Sequence, residues 1–74
     1  MPRRQPDALD RLIGRNIRQQ RLKRGLSQTE LADAIGIRFQ QLQKYEKAKN
    51  RITASRLYLI ARRLDVPFEV MFEG

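Results

Sequence analysis

Between Arg38 and Lys47 the chain reads Arg-Phe-Gln-Gln-Leu-Gln-Lys-Tyr-Glu-Lys. On a helix advancing about 100° per residue with Leu42 at zero, Arg38, Tyr45 and Glu46 fall within about 60° of it, while Gln40, Gln43, Lys44 and Lys47 fall between about 100° and 200°. Phe39 lies on the flank near the N-terminal end. The leucine and tyrosine side should face the body of a domain, and the opposite side carries carboxamides and ammonium groups with no carboxylate. A glutamine can donate and accept together at the N6 and N7 edge of adenine, a lysine can donate to guanine O6 and N7, and an exposed phenylalanine can touch a thymine methyl. Glutamine and lysine are also strong helix formers, so the same face suits a plain solvated surface equally well. Phe39 could equally pack inward against its own chain.

Other chemistry has little to work with. The sequence contains neither histidine nor cysteine, so the commonest general base, the best thiol nucleophile and any disulfide or thiolate metal site are missing. The eight acidic residues are scattered, with no spacing that suggests an acid–base pair or a metal cage. Ser27 and Ser55 lack an activating partner and read as helix caps. We therefore expect no enzyme, no cofactor and no metal. The composition points to a polyanionic partner instead: 16 Lys and Arg face 8 Asp and Glu, a formal charge of +8. DNA, RNA and an anionic membrane surface all qualify. The longest apolar run, Leu57 to Ala61, is far short of the roughly 20 residues of a membrane span, and Met1 to Pro6 has no hydrophobic stretch of a secretory signal. A cytoplasmic protein is the expectation.

The elements that would hold the Gln/Lys face are readable from periodicity and punctuation. The 74 residues suit one small all-α domain with a modest core. Residues 1–6 read as a flexible arm and 7–74 as the domain. Asp7 can cap a first helix whose Leu9, Ile13 and Ile17, with Leu12 beside them, mark a buried stripe; Arg11, Arg15 and Arg18 lie roughly opposite, and Gly25 ends it. Ser27-Gln-Thr-Glu30 is a capping box for a second helix, with Leu31, Ala32 and Ile35 inward and Gly36 closing it. A third helix follows over about Arg38 to Lys47, and two short helices joined by a tight Gly turn form a helix-turn-helix unit. Ala48 to Ile52 is a basic loop. Thr53 or Ser55 caps a fourth helix to about Leu64 (core set Leu57, Ile60, Ala61 and Leu64), and Pro67 starts a short fifth containing Phe68, Val70, Met71 and Phe72.

Residues 13–72 resemble the repressor and Cro class of helix-turn-helix proteins, the xenobiotic-response-element-type regulators. Three stretches carry the resemblance: Ile17-Arg-Gln-Gln-Arg21 leading to Gly25-Leu26-Ser27-Gln28-Thr29-Glu30-Leu31-Ala32; Gly36-Ile37 followed by Leu42 and Tyr45-Glu46; and Leu57 through Ile60-Ala61 to Leu64 and Val66. Phe39-Gln40-Gln41, Lys44-Tyr45-Glu46 and Asn50-Arg51-Ile52 look like a bacterial subgroup. The resemblance implies a five-helix lambda-repressor-like fold that binds double-stranded DNA through helices two and three. It implies that Phe39, Gln40 and Lys44 read bases, with Gln43 and Lys47 flanking them within reach of bases or phosphate. Gln28, at the start of helix two, would hold a phosphate, as a helix N-terminus can, and Lys49, Asn50 and Arg51 would grip the backbone. Arg21 and Glu46 would form an internal ion pair between helices one and three.

Two positions depart from the family pattern. Arg38 stands where Ser or Thr usually caps helix three; it opposes the helix dipole and is placed to approach a phosphate instead. Ala48 stands where Gly is usual, and Asn50 could supply the left-handed turn slightly later. The resemblance further implies a transcriptional regulator, commonly a repressor, associated with the nucleoid, bound as a homodimer to a pseudo-palindromic operator. Phe68, Val70, Met71 and Phe72 are too many apolar residues for one short helix to bury alone, so some of them, with Tyr58, should meet a partner subunit, or else cover a further domain beyond Gly74. The Pro2 to Arg4 arm could add minor-groove or phosphate contacts. Competing readings are an RNA-binding module and a coactivator-like protein-interaction module on the same fold; against the former stand only five aromatic residues and no sheet to display bases.

Overall fold

The computed structural model describes residues 7–74; the expected arm, with Pro2 to Arg4, lies outside the described residues. Four α-helices follow in chain order: α1 (Ala8–Lys23), α2 (Gln28–Ile35), α3 (Phe39–Glu46) and α4 (Ala54–Leu64). The fifth helix expected over Phe68 to Phe72 is instead a five-residue 3-10 segment, opened by Pro67. Its bonds run i to i+3, as from Val70 N–H to the Pro67 carbonyl at 3.0 Å. So short a stretch, ending in extended backbone at Glu73, favours the tighter turn.

The helix ends are set by side chains the sequence places there. Asp7 Oδ1 accepts from the N–H groups of Leu9 and Asp10, and Asp10 Oδ2 accepts from Asp7 N–H at 2.8 Å. Ser27 Oγ accepts from Glu30 N–H, and Glu30 Oε1 accepts in return from Ser27 N–H. Both are reciprocal caps that satisfy donors with no partner inside the helix. Thr53, rather than Ser55, caps α4, its Oγ1 accepting from Arg56 N–H. Gly36 ends α2 in the left-handed region at φ 77°, which returns Ile37 N–H to the Ala32 carbonyl.

Ile17, Leu31, Leu42, Ile60, Leu64 and Met71 are fully buried, one or more from each element. α1 runs across the back of α3 and the 3-10 segment, and α2 packs on α3 and α4. Two expectations are corrected by this packing. Leu9 is half exposed rather than part of the buried stripe, because it lies in the first turn of α1. Met71 is completely enclosed by its own chain, so it is core and not a surface for a partner. Among the described residues no helix is long and apolar enough to cross a membrane.

Candidate nucleic-acid interface

α3 divides as its sequence predicts except at Arg38, which the helical angle puts on the inward side but which, standing at the N-cap before the first turn, is exposed. Leu42, Tyr45 and Glu46 are buried, while Arg38, Phe39, Gln40, Lys44 and Lys47 are exposed and Gln43 is half-buried. Phe39 is 42% accessible, so it does not turn into its own core. Arg38 starts the helix in extended conformation with no side-chain cap, which leaves its guanidinium and the first N–H groups of α3 on one exposed end.

What fixes this face outward is buried behind it. Glu46 Oε2 accepts from Arg21 Nε at 2.7 Å, and its Oε1 accepts from Arg21 Nη2 at 3.1 Å and Gln28 Nε2 at 3.0 Å. Arg21 Nη1 donates to the Leu26 carbonyl at 2.8 Å. One carboxylate thus ties together α1, α2 and α3, and the two-point Arg geometry also fixes orientation. In this arrangement the Gln28 carboxamide is turned to Glu46, while its backbone N–H belongs to the unpaired first turn of α2. Next to Glu46, the Tyr45 hydroxyl accepts from Arg56 Nη1 at 3.1 Å, joining α3 to α4.

The loop after α3 turns at Ala48, which itself adopts φ 57°; Asn50 does not supply the left-handed residue. The geometry returns Lys49 N–H to the Lys44 carbonyl at 2.8 Å, so the turn must come directly at the end of the helix. Lys49, Asn50 and Arg51 are exposed. Arg51 is partnered: its Nε lies 3.2 Å from Asp10 Oδ2 and its Nη2 3.3 Å from Asp7 Oδ2. The N–H of Asp10, bonded to the Asp7 carboxylate, holds that group below its ordinary value of 3.8, with further help from Leu9 N–H and the Arg51 charge. Likewise the Ser27 N–H and hydroxyl hold the Glu30 carboxyl below 4.5.

Three residues that matter to this site went unremarked in the sequence reading. A Cβ on Gly14 would stand 2.5 Å from the Tyr45 carbonyl oxygen and 2.8 Å from that of Glu46; a glycine inside a helical pattern was the available signal. Asn16 is buried, and its Nδ2 donates to the carbonyls of Met71 at 2.8 Å and Glu73 at 2.7 Å. Arg56 looks like any surface cation in a basic sequence, and nothing in its spacing marks the bond to Tyr45.

On α4, Tyr58 is half exposed and carries Arg62 over its ring, with Nη1 donating to the hydroxyl. Phe68 and Val70 are half-buried and Phe72 is exposed; the Phe68 and Phe72 rings meet edge to face at 5.3 Å.

A family model described as Helix-turn-helix matches residues 17–71. An uncharacterized HTH-type transcriptional regulator of Sinorhizobium fredii, y4wC, is 49% identical over 71 residues, covering 96% of this chain and 50% of that protein. The chain spans about half the length of the curated relatives it matches. Among solved structures, a hypothetical transcription factor from Neisseria, NHTF, superposes with a TM-score of 0.86 at 26% identity, covering all of this chain and 87% of that one. The biofilm master regulator SinR, solved in complex with DNA, gives 0.76 at 27% identity, covering 82% of this chain and 98% of that one. With the exposed Gln/Lys helix, the ion-paired frame behind it and a family match over most of its length, the chain belongs to the helix-turn-helix family of transcriptional regulators.

Proposed function

We propose that this chain binds double-stranded DNA sequence-specifically and acts as a transcriptional repressor, with α3 in the major groove. The observation that carries this reading is the outward face of α3. Phe39, Gln40 and Lys44 stand exposed with no acidic neighbour on that face, and Glu46 is sequestered behind it in a three-helix hydrogen-bonded clamp. The likeness to SinR, a regulator solved on DNA, supports the same placement. In this reading Phe39, Gln40, Gln43 and Lys44 read base edges, and Arg38, Lys47, Lys49, Asn50, Arg51 and the α2 start at Gln28 hold phosphates. Arg51 would exchange its carboxylate partners, Asp7 and Asp10, for a phosphate.

The active form is a homodimer, in the cytoplasm on the nucleoid. Tyr58, Phe68, Val70 and Phe72 supply its contact, and Leu59, half exposed beside Tyr58, joins them. Two α3 helices then enter successive major grooves about 34 Å apart. Selection of binding sites from random duplexes tests the proposal. Enrichment of a two-fold symmetric site with half-sites one helical turn apart is expected. No enrichment over the starting pool, or equal competition by structured RNA, would overturn it.

A further inference from the structure

We propose that the arginine face of α1 is a second phosphate-binding track, which carries the DNA footprint beyond the base pairs that α3 covers; the proposal rests on the DNA-binding reading above. With Ile17 at zero, Gly14 lies at about +60°, Arg18 at about +100°, Arg11 at about +120° and Arg15 at about +160°, whereas Asn16 and Lys23 lie at about −100° and −120°. Contacts identify what each flank faces. On the positive side Gly14 abuts the carbonyls of Tyr45 and Glu46, at the end of α3. Asp10, on the same row as Gly14, pairs with Arg51 in the basic loop. On the negative side Asn16 binds the Met71 and Glu73 carbonyls. Arg18 therefore continues the Asp10 and Gly14 row that touches the end of α3 and its loop, and Arg11 stands one position out from it. Both lie on the side of Lys47, Lys49 and Arg51, whereas Arg15, farther round the helix, borders a cavity shared with Asn16, Lys23 and Glu73 on the other flank.

The charge pattern points to an anion. Arg11, Arg15 and Arg18 are all exposed, and no carboxylate among the described residues lies within salt-bridge reach of them, as also holds for Arg38, Arg56, Arg62 and Arg63, whereas Arg21 and Arg24 each have one and Arg51 has two. Like charges at i and i+4 oppose helix formation, and Arg11 and Arg15 stand at that spacing. Along the axis Arg11 and Arg18 are about 10 Å apart, a span suited to more than one phosphate of a single strand. Asp7 and Asp10, where α1 meets the basic loop, are taken up by Arg51, and the occupant that fits the unpaired arginines beyond them is the sugar–phosphate backbone flanking the half-site.

The test uses a duplex selected by the chain itself, made in two lengths, one ending at the half-sites and one extended by ten base pairs on each side. Affinity is titrated against salt for the unaltered chain, Arg11→Ala/Arg18→Ala and Lys23→Ala, the last removing a cation from the opposite flank. On the long duplex the double variant should lose about 1.8 from the salt slope per protomer, two phosphate contacts at about 0.9 each. On the short duplex it should match the unaltered chain, and Lys23→Ala should match it on both. Unchanged helicity and melting temperature show that the fold is kept; should the double variant unfold, Arg11→Gln/Arg18→Gln answers the same question. Equal slopes for the double variant and the unaltered chain on long DNA would overturn the track while leaving α3 as reader. A loss equal on both lengths would overturn the flanking placement. Failure of the unaltered chain to bind DNA would overturn both proposals.

Discussion

Glu46 and Gly14 set the position of the recognition surface without belonging to it. Glu46 receives three N–H groups in a buried setting, two from Arg21 and one from Gln28. Removing it leaves the Arg21 guanidinium enclosed without a counter-charge. Glu46→Ala should lower the unfolding free energy by about 3–5 kcal/mol, much of the total a domain of this size holds; urea denaturation measures it. The double change Arg21→Met/Glu46→Leu should be milder than Glu46→Ala, since no charge is then stranded. Gly14 is needed for space. Its helix would gain about 1 kcal/mol from alanine by propensity, but the added carbon would sit inside contact distance of two backbone carbonyls that cannot turn aside. Gly14→Ala should therefore be net destabilising, by about 1–3 kcal/mol. A neutral or stabilising result would mean that α1 is free to shift away from α3.

At the scale of the elements, the ends set by Asp7, Ser27 and Gly36 were readable because these caps act locally, and that of α4 was narrowed to Thr53 or Ser55. The third helix ends less well. Arg38 provides no cap, and Ala48 takes a left-handed turn that glycine adopts without strain. Ala48→Gly should stabilise the chain by about 1 kcal/mol, and thermal melting reads this directly. Arg38→Ser should likewise stabilise α3 by about 1 kcal/mol, while weakening DNA binding if Arg38 holds a phosphate. What sequence could not supply was non-local. The burial of Met71 and the bonds of Asn16 depend on partners far away in the chain, and the bond of Arg56 on a side chain of another helix. Acid sensitivity also belongs to the elements. Asp7 and Glu30 are held below 3.8 and 4.5 by their caps, so their stabilisation is fully present above those values and is lost as pH falls through the lower folded-state values. A melting temperature that is level near neutrality and falls below about pH 4 is expected, and Asp7→Asn should flatten the fall.

For the whole molecule, two exposed sets of residues contrast in chemistry. One comprises α3, the loop after it and the arginine row of α1; the other comprises Tyr58, Leu59 and Phe72, exposed apolar groups on a chain with so strong a positive charge. Sedimentation at micromolar concentration should find a dimer on operator DNA, and Phe72→Ala should shift it toward monomer. A strict monomer with and without DNA would remove the two-fold arrangement. The measurement that bears most directly on α3 as the reading element compares Lys44→Ala and Arg51→Ala on the selected site and on random duplex. Lys44→Ala should lose about 1–3 kcal/mol on the selected site alone and relax preference at one base position. Arg51→Ala should weaken both duplexes alike and reduce the salt slope by about 1. If the two variants behave identically on both duplexes, α3 does not read the sequence.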